Sequence, residues 1–500
     1  MIQNYTSPTL DGLFGRSLAR QPDTLALLDP PDKLRVTGQP PRRLTFAQAD
    51  RAISALAAHF IEAGLPANSV IAVQLPNTVE LVLTVLAAYR AGLIVALMPQ
   101  LWRQAELTVA LNRSGARAIV AMGRIDGIDH ADIAMNAAVE AFSIRHVCGF
   151  GSNLPEGMAS LEEAIAHPSD ASRLVVQDAR RVALVSFDVT AAGFRSVPRT
   201  HLHMIAAGLA VFLESGLPQG ATLLSALAPC SFAGLTASLV TWLLNGGTLA
   251  LHHPFDPDVL RRQIDAQGCS ALVAPAPLAF ALAEDGGLTR HPGLRHVIGL
   301  WRAPEQVDSS PVWPDAHAAM TDVYLFGEVG LFAARRMEDG EPAPVMPGPH
   351  GAPRHVPASP QAGEIILTPK GTLALRGPMV PVAAYEPAHP PHDPLTAPPN
   401  VDYVDTGYAA RIDRATGAIA ITAPPSGVMN VGGYRFLAQD LEGWAKRLGD
   451  TAMLTALPDR LSGHRLAGRS GDNARARAAL AELGLNPLMV EAFRDRSAAI

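Results

Sequence analysis

Between Leu44 and Val120 the sequence alternates helix-periodic and wholly apolar stretches, and this rhythm limits the fold more than any other feature of the chain. "LTFAQADRAISALAAHFIEAGLP" opens with Thr45 and Gln48 at the spacing of a capping box, which predicts a helix start. Ile53, Leu56, Ala57, Phe60 and Ile61 then fall on one helical face, and Gly64 and Pro66 end the run. "VIAVQL" (Val70 to Leu75) predicts a strand, "TVELVLTVLAAYRAG" a helix, "LIVALM" a strand, "RQAELTVALNRSG" a helix and "ARAIVAM" a strand. The strand segments are almost entirely apolar, so both faces must be covered. That is the β-α-β pattern of a buried, mostly parallel sheet.

The 500 residues, 48% hydrophobic and only 17% charged, suffice for a large core and for two or more domains. A formal charge of -6 gives no reason to expect a nucleic-acid partner. Cys148, Cys230 and Cys269 stand far apart without metal-ligand spacing, which argues against a disulfide framework and a structural zinc and for a reducing, cytoplasmic setting. "MIQNYTSPTL" has neither the basic region nor the apolar core of a signal peptide. Ala233 to Leu251 carries no charge over a length that could span a bilayer, but Asn245-Gly246-Gly247 interrupts it. A buried helix, a glycine turn and a buried strand are expected there, with no membrane span.

Further on, proline-rich connections at 342–360 and 386–400 flank "GEIILTPKGTLALRG", which predicts a β-hairpin. "TAPPSG" (Thr422 to Gly427) marks a boundary. The predicted class is α/β. Residues 1–425 form a large domain of mostly parallel sheets covered by helices, with a β-rich subdomain, and residues 426–500 form a small α/β domain.

From about Leu44 to Gly468 the order of segments resembles the AMP-forming acyl-CoA synthetases and related adenylate-forming ligases. The likeness is carried by the opening β-α-β block, by "FDPDVLRRQIDAQGCSALVAPAPL", and by "VDTGYAARIDRATGAIAI", "NVGGYRF" and "ALPDRLSGHRLAG". It implies a two-domain fold, an acyl or carboxylate ligand, and, if activity is retained, ATP with magnesium and coenzyme A or a phosphopantetheine carrier.

Site by site, the resemblance also implies erosion. "SFDVTAAGFRSVPRTH" (Ser186 to His201) is expected to be the phosphate loop joining a strand to a helix, yet it keeps one glycine, Gly193. Against the family's S-G-T-T-G-x-P-K-G, Thr190 survives, Asp188 and Val189 replace small residues, and Arg195 stands at the lysine position. In "FGEVG", Phe326 and Gly327 match the adenine-stacking segment, and Glu328 lies two places before the position of the magnesium-binding acid; it is a candidate catalytic residue only through a deletion. Tyr408 replaces the ribose-binding aspartate. Arg411, Asp413 and Gly417 match the family's positions immediately downstream of that aspartate, and Ser426 and Gly427 replace the hinge acids. The acyl pocket is expected at Ser231, Phe232, Gly234 and Leu235, with Ser231 in place of a histidine and "APAPLAF" (Ala274 to Phe280) as its apolar wall.

Lysine is the sharpest test, because acyl adenylation needs a cation on developing charge. The chain has Lys33, Lys370 and Lys446, none at the place near the end of the small domain where the family puts its lysine, so the resemblance implies a shortened C-terminal domain. His201 to His203, His252 with His253, and His389 to His392 lack i, i+4 spacing beside an acid and predict no metal site. No G-x-S-x-G turn supports a serine hydrolase. Two functions are compatible with these residues. One is a protein that binds a hydrophobic carboxylate or acyl thioester, with a carrier-protein or enzyme partner and adenylation impaired or lost. The other is a working carboxylate-CoA or carrier-protein ligase with a reshaped site or partner-supplied groups.

Overall fold

Thr45 caps the helix Phe46–Glu62: its hydroxyl accepts from the Gln48 amide at 3.2 Å, and Gln48 Oε1 accepts from the Thr45 amide at 2.8 Å. Ile53, Leu56, Ala57 and Phe60 are buried on its inner face. The strands Val70–Gln74, Ile94–Leu97 and Ala118–Met122 are buried at every position and pair in parallel, with helices Val79–Arg90 and Gln104–Ser114 crossing between them. Burial on both faces is why these strands show no polar alternation. The computed structural model describes residues 8–175, 178–227, 229–288, 290–315, 317–350, 363–381 and 403–494.

Among the described residues the main strands fall into three sheets. A seven-stranded sheet runs Gly193–Thr200, Val182–Thr190, Ile94–Leu97, Val70–Gln74, Ala118–Met122, His146–Phe150, Ala159–Ser160. An eight-stranded sheet has a parallel centre, with Gly330–Arg335 and Arg43–Thr45 antiparallel at its two edges. A five-stranded antiparallel sheet includes the predicted hairpin, Gly363–Leu367 with Thr372–Arg376. Residues 351–362 and 382–402 lie outside the described residues. They take in part of the first proline-rich connection, all of the second, and His389 to His392.

One expectation is overturned. Ser186 to His201 is not a loop between strand and helix: Val182–Thr190 and Gly193–Thr200 pair antiparallel, Asp188 opposite Arg195, around a two-residue turn, and the helix His201–Ser215 begins only afterwards. Without several glycines the backbone cannot curl into a nest of free amides, and it closes a β-ladder instead.

The uncharged stretch behaves as expected. Phe232–Leu235 runs through a π-helical turn into Thr241–Asn245, Gly246 turns the chain at φ 72°, and Thr248–Leu251 enters the eight-stranded sheet. No helix among the described residues is long and apolar enough to cross a membrane. Towards the C-terminus, Val431, Leu441, Leu454, Leu466, Leu480 and Phe493 belong to a buried cluster separate from the main core.

Candidate functional site

Three side chains distant in sequence meet where the hairpin, the Phe326-Gly327-Glu328 turn and the C-terminal strand Tyr434–Leu437 converge. Arg435 Nη1 donates to Asp188 Oδ1 at 3.0 Å, and Arg435 Nη2 donates to the Tyr408 hydroxyl at 2.8 Å. Its Nε reaches Asn430 Oδ1 at 3.1 Å. Asp188 further accepts from the Glu328 amide at 2.9 Å and from its neighbour Val189 at 2.8 Å. The pair is nearly dry, with the Asp188 and Arg435 side chains 4% and 14% exposed. Burial alone would lower the Arg435 pKa, but Asp188 and Tyr408 outweigh it and hold the guanidinium well above the usual arginine range. Gly327 makes this approach possible. It sits at φ 56°, and a Cβ there would overlap the Arg435 guanidinium and lie 2.5 Å from Asp188 Oδ2.

A second arginine supports the arrangement from below. Arg199 is buried, donates to the carbonyls of Glu328 and, at 3.0 Å, of Met379, and lies 3.4 Å over the Phe232 ring centroid. Desolvation lowers its pKa to about 10. Glu328 is also buried, and desolvation raises its pKa, with Asp188 adding to the rise and Arg199 opposing it. Its Oε2 accepts from the Phe232 amide at 3.0 Å. Among the described residues no group of three or more histidine, cysteine and acidic side chains is placed to hold a metal ion.

The other residues singled out from the sequence are distributed unequally. Thr190 is used by the hairpin turn, donating to the Gly193 carbonyl at 3.3 Å and accepting from the Ala192 amide at 3.2 Å. Arg195 and Arg411 are exposed. Phe326 is buried edge-on to Tyr408, with ring centroids 5.5 Å apart at 83°. Ser231 caps the helix Phe232–Leu235 by accepting from the Gly234 amide at 3.2 Å, and that helix runs into the core. Phe232, Gly234 and Leu235 are therefore packed in the interior. Of the four expected pocket residues, Ser231 alone lines the cavity beside this cluster.

That cavity, of about 800 Å³, lies between the large N-terminal part and the C-terminal cluster. Its aromatic wall is built on Trp102, Phe187 and Phe194, with Phe187 and Phe194 stacked at 5.3 Å and Trp102 at 5.6 and 5.9 Å from them. Pro275 and Leu278 from the expected wall line it, while Phe280 packs on Trp301 and Trp313 instead. Tyr434, Phe436 and Trp444 close it from the C-terminal side. The two sides are also joined by polar contacts: the Asn486 amide and Nδ2 to Glu106 Oε1 at 2.9 and 2.8 Å, Arg302 Nη1 to the Gly433 carbonyl at 3.0 Å, and an Arg460–Glu284 ion pair. Arg435, Arg199, Arg302 and Trp102 were not distinguished by sequence reasoning. Arg435 lies in "NVGGYRF", but its partner Asp188 is 247 residues away.

Comparison with known proteins bears on the fold and the family. The chain is 25% identical over 256 residues to a medium-chain fatty-acid–CoA ligase of Escherichia coli, covering 50% of this chain and 45% of that protein. It is 26% identical over 198 residues to a salicyl-AMP ligase / salicyl-S-ArCP synthetase of Mycobacterium tuberculosis, covering 39% and 34%. The matched stretches thus span less than half the length of these curated relatives. Among solved structures, the amide bond synthetase McbA from Marinactinospora thermotolerans shares the fold with a TM-score of 0.74 at 18% identity, over 95% of this chain and 94% of that one. Apo MbtA of Mycobacterium smegmatis does so with a TM-score of 0.67 at 21% identity, over 97% and 90%. Residues 14–324 match the family described as AMP-binding enzyme, which is more than half of the 500-residue chain, and the protein belongs to that family.

Proposed function

We propose that this protein binds a hydrophobic carboxylate or acyl thioester in the cavity between an N-terminal domain, 1–425, and a C-terminal domain, 426–500, and that its ATP-dependent adenylation is weak or lost. The observation that carries this reading is the Asp188–Arg435–Tyr408 cluster. The position where the family's loop would offer amides to phosphate presents a carboxylate, and that carboxylate is paired with an arginine of the C-terminal part. Amides of the hairpin are used in its ladder, and the Tyr408 hydroxyl is engaged by the same arginine. These residues do not fit a nucleotide with magnesium. A cytoplasmic setting is part of the same proposal.

The polar contacts between the two sides support a second reading, because hydrogen bonds and ion pairs at a seam can exchange with water when a lobe turns. In that reading the protein is a working ligase. Arg435 leaves Asp188 during turnover, a partner protein supplies the missing groups, and ATP and coenzyme A or a phosphopantetheine carrier are used.

Calorimetry with ATP and magnesium, and carboxylate-dependent pyrophosphate exchange, separate the two. The first reading expects millimolar ATP binding or none, with no exchange. Tight ATP binding or measurable exchange by the unmodified protein overturns it. Changing Asp188→Ser, Val189→Gly and Tyr408→Asp together should improve ATP binding if the surrounding pocket is intact. For the ligand arm, Gly234→Trp would disrupt the core, so Trp102→Ala, on the cavity wall, is the suitable variant: it should abolish thermal stabilisation by hydrophobic acids.

A further inference from the structure

Among the described residues, the cavity lining holds one cation with no carboxylate ion-pair partner. Arg302 is half-buried and lines the cavity, and among the described residues it forms no ion pair; its Nη1 donates to the Gly433 carbonyl at 3.0 Å. The other arginine of the lining, Arg435, is paired with Asp188. The lining acids are occupied differently. Asp188 is neutralised by Arg435. Glu106 accepts three N–H groups, from the Arg103 amide at 3.0 Å and from the Asn486 amide and Nδ2 at 2.9 and 2.8 Å. Glu328 accepts from the Phe232 amide, and Asp440 is exposed.

The same cavity is lined by this cation and by the aromatic shelf. Gly433, whose carbonyl accepts from Arg302, and the adjacent Tyr434 line it together with Trp102 of the Trp102–Phe187–Phe194 cluster. A guanidinium and stacked rings lining one cavity match a molecule with one anionic head and an apolar body.

We propose that Arg302 anchors the anionic head of the hydrophobic acid, whose body lies on the Trp102–Phe187–Phe194 shelf. This rests on the reading of the cavity as a hydrophobic-acid site and adds to it an orientation and a specificity residue. Because Arg302 also holds Gly433 of the C-terminal side, the bound head lies at the seam between the two parts of the protein.

The test uses decanoate and the neutral decanol as probes, with binding to the full chain followed by calorimetry and by tryptophan fluorescence. The expected result is that Arg302→Gln weakens decanoate by about tenfold or more, the scale of one charge-assisted hydrogen-bonding pair. Decanol is unchanged, and Arg302→Lys recovers part of the decanoate affinity. Unchanged decanoate binding in Arg302→Gln, or equal loss of both probes, overturns the assignment of Arg302 while leaving the cavity reading in place. Failure of both probes to bind the unmodified protein removes the cavity reading and the assignment with it.

Discussion

Replacing Arg435 with methionine removes a buried cation and keeps most of its apolar stem. The loss can be worked from the contacts. Asp188 would be left 4% exposed without its counter-charge but still accepting the Glu328 amide at 2.9 Å and the Val189 amide at 2.8 Å. Breaking one side of a buried ion pair costs about 3–5 kcal/mol, and the two retained amide donors place Arg435→Met near the lower end, about 3 kcal/mol. Asp188→Asn leaves Arg435 its bonds to Tyr408 and Asn430, so it should cost less. The double variant should be more stable than the sum of the two losses predicts, by about 1 kcal/mol or more, since each single change charges the other residue's desolvation to the fold. Urea denaturation of the four proteins, monitored by tryptophan fluorescence, measures this. A loss under about 1 kcal/mol for Arg435→Met, or strict additivity, would refute the view that this pair binds the C-terminal part to the hairpin.

Three further outcomes are expected. Gly327→Ala should destabilise more than Gly427→Ala, because both glycines have positive φ, 56° and 72°, but a Cβ strikes Arg435 at the first and meets nothing within 4 Å at the second; equal losses in thermal denaturation would count against the close approach. Lys33→Met should cost about 3–5 kcal/mol, because Lys33 Nζ bridges Asp29 at 2.6 Å and Glu80 at 2.5 Å with all three side chains buried, and its loss leaves two carboxylates in the core. Burial lowers His130, His201, His203, His253 and His350 from 6.5 to about 4. Between those values the unfolded chain binds more protons, so the stability these neutral rings contribute is complete above about 6.5 and is lost as pH falls through about 4; a melting temperature that holds steady from pH 7 to 4.5 would contradict this.

The alternating block was readable because every step of it is local. The Thr45–Gln48 cap, the apolar face of Phe46–Glu62 and the fully buried strands each leave a pattern within a few residues. The hairpin at Ser186–His201 also carried a local signal, the β-branched and aromatic run through Phe187, Val189, Phe194 and Val197, but the family's loop at that position directed the expectation elsewhere. The cluster around Arg435 had no such signal. Asp188 and Tyr408 read as separate losses, whereas in three dimensions they are the two partners of one guanidinium. The pocket at Phe232, Gly234 and Leu235 was misplaced for a related reason: apolar composition does not say whether a helix lines a cavity or fills the core, and the cap at Ser231 turns this one inward.

The shared guanidinium also shapes how the sequence can change. A serine at 188 leaves a buried cation short of its counter-charge, an aspartate at 408 beside Asp188 crowds a second carboxylate onto the same arginine, and loss of Arg435 strands both partners. Each step taken alone therefore passes through a less stable protein, and the three positions are bound to one another as a ratchet. A lineage carrying this trio is expected to drift readily at exposed Arg195 and Arg411 while exchanging residues 188, 408 and 435 only together.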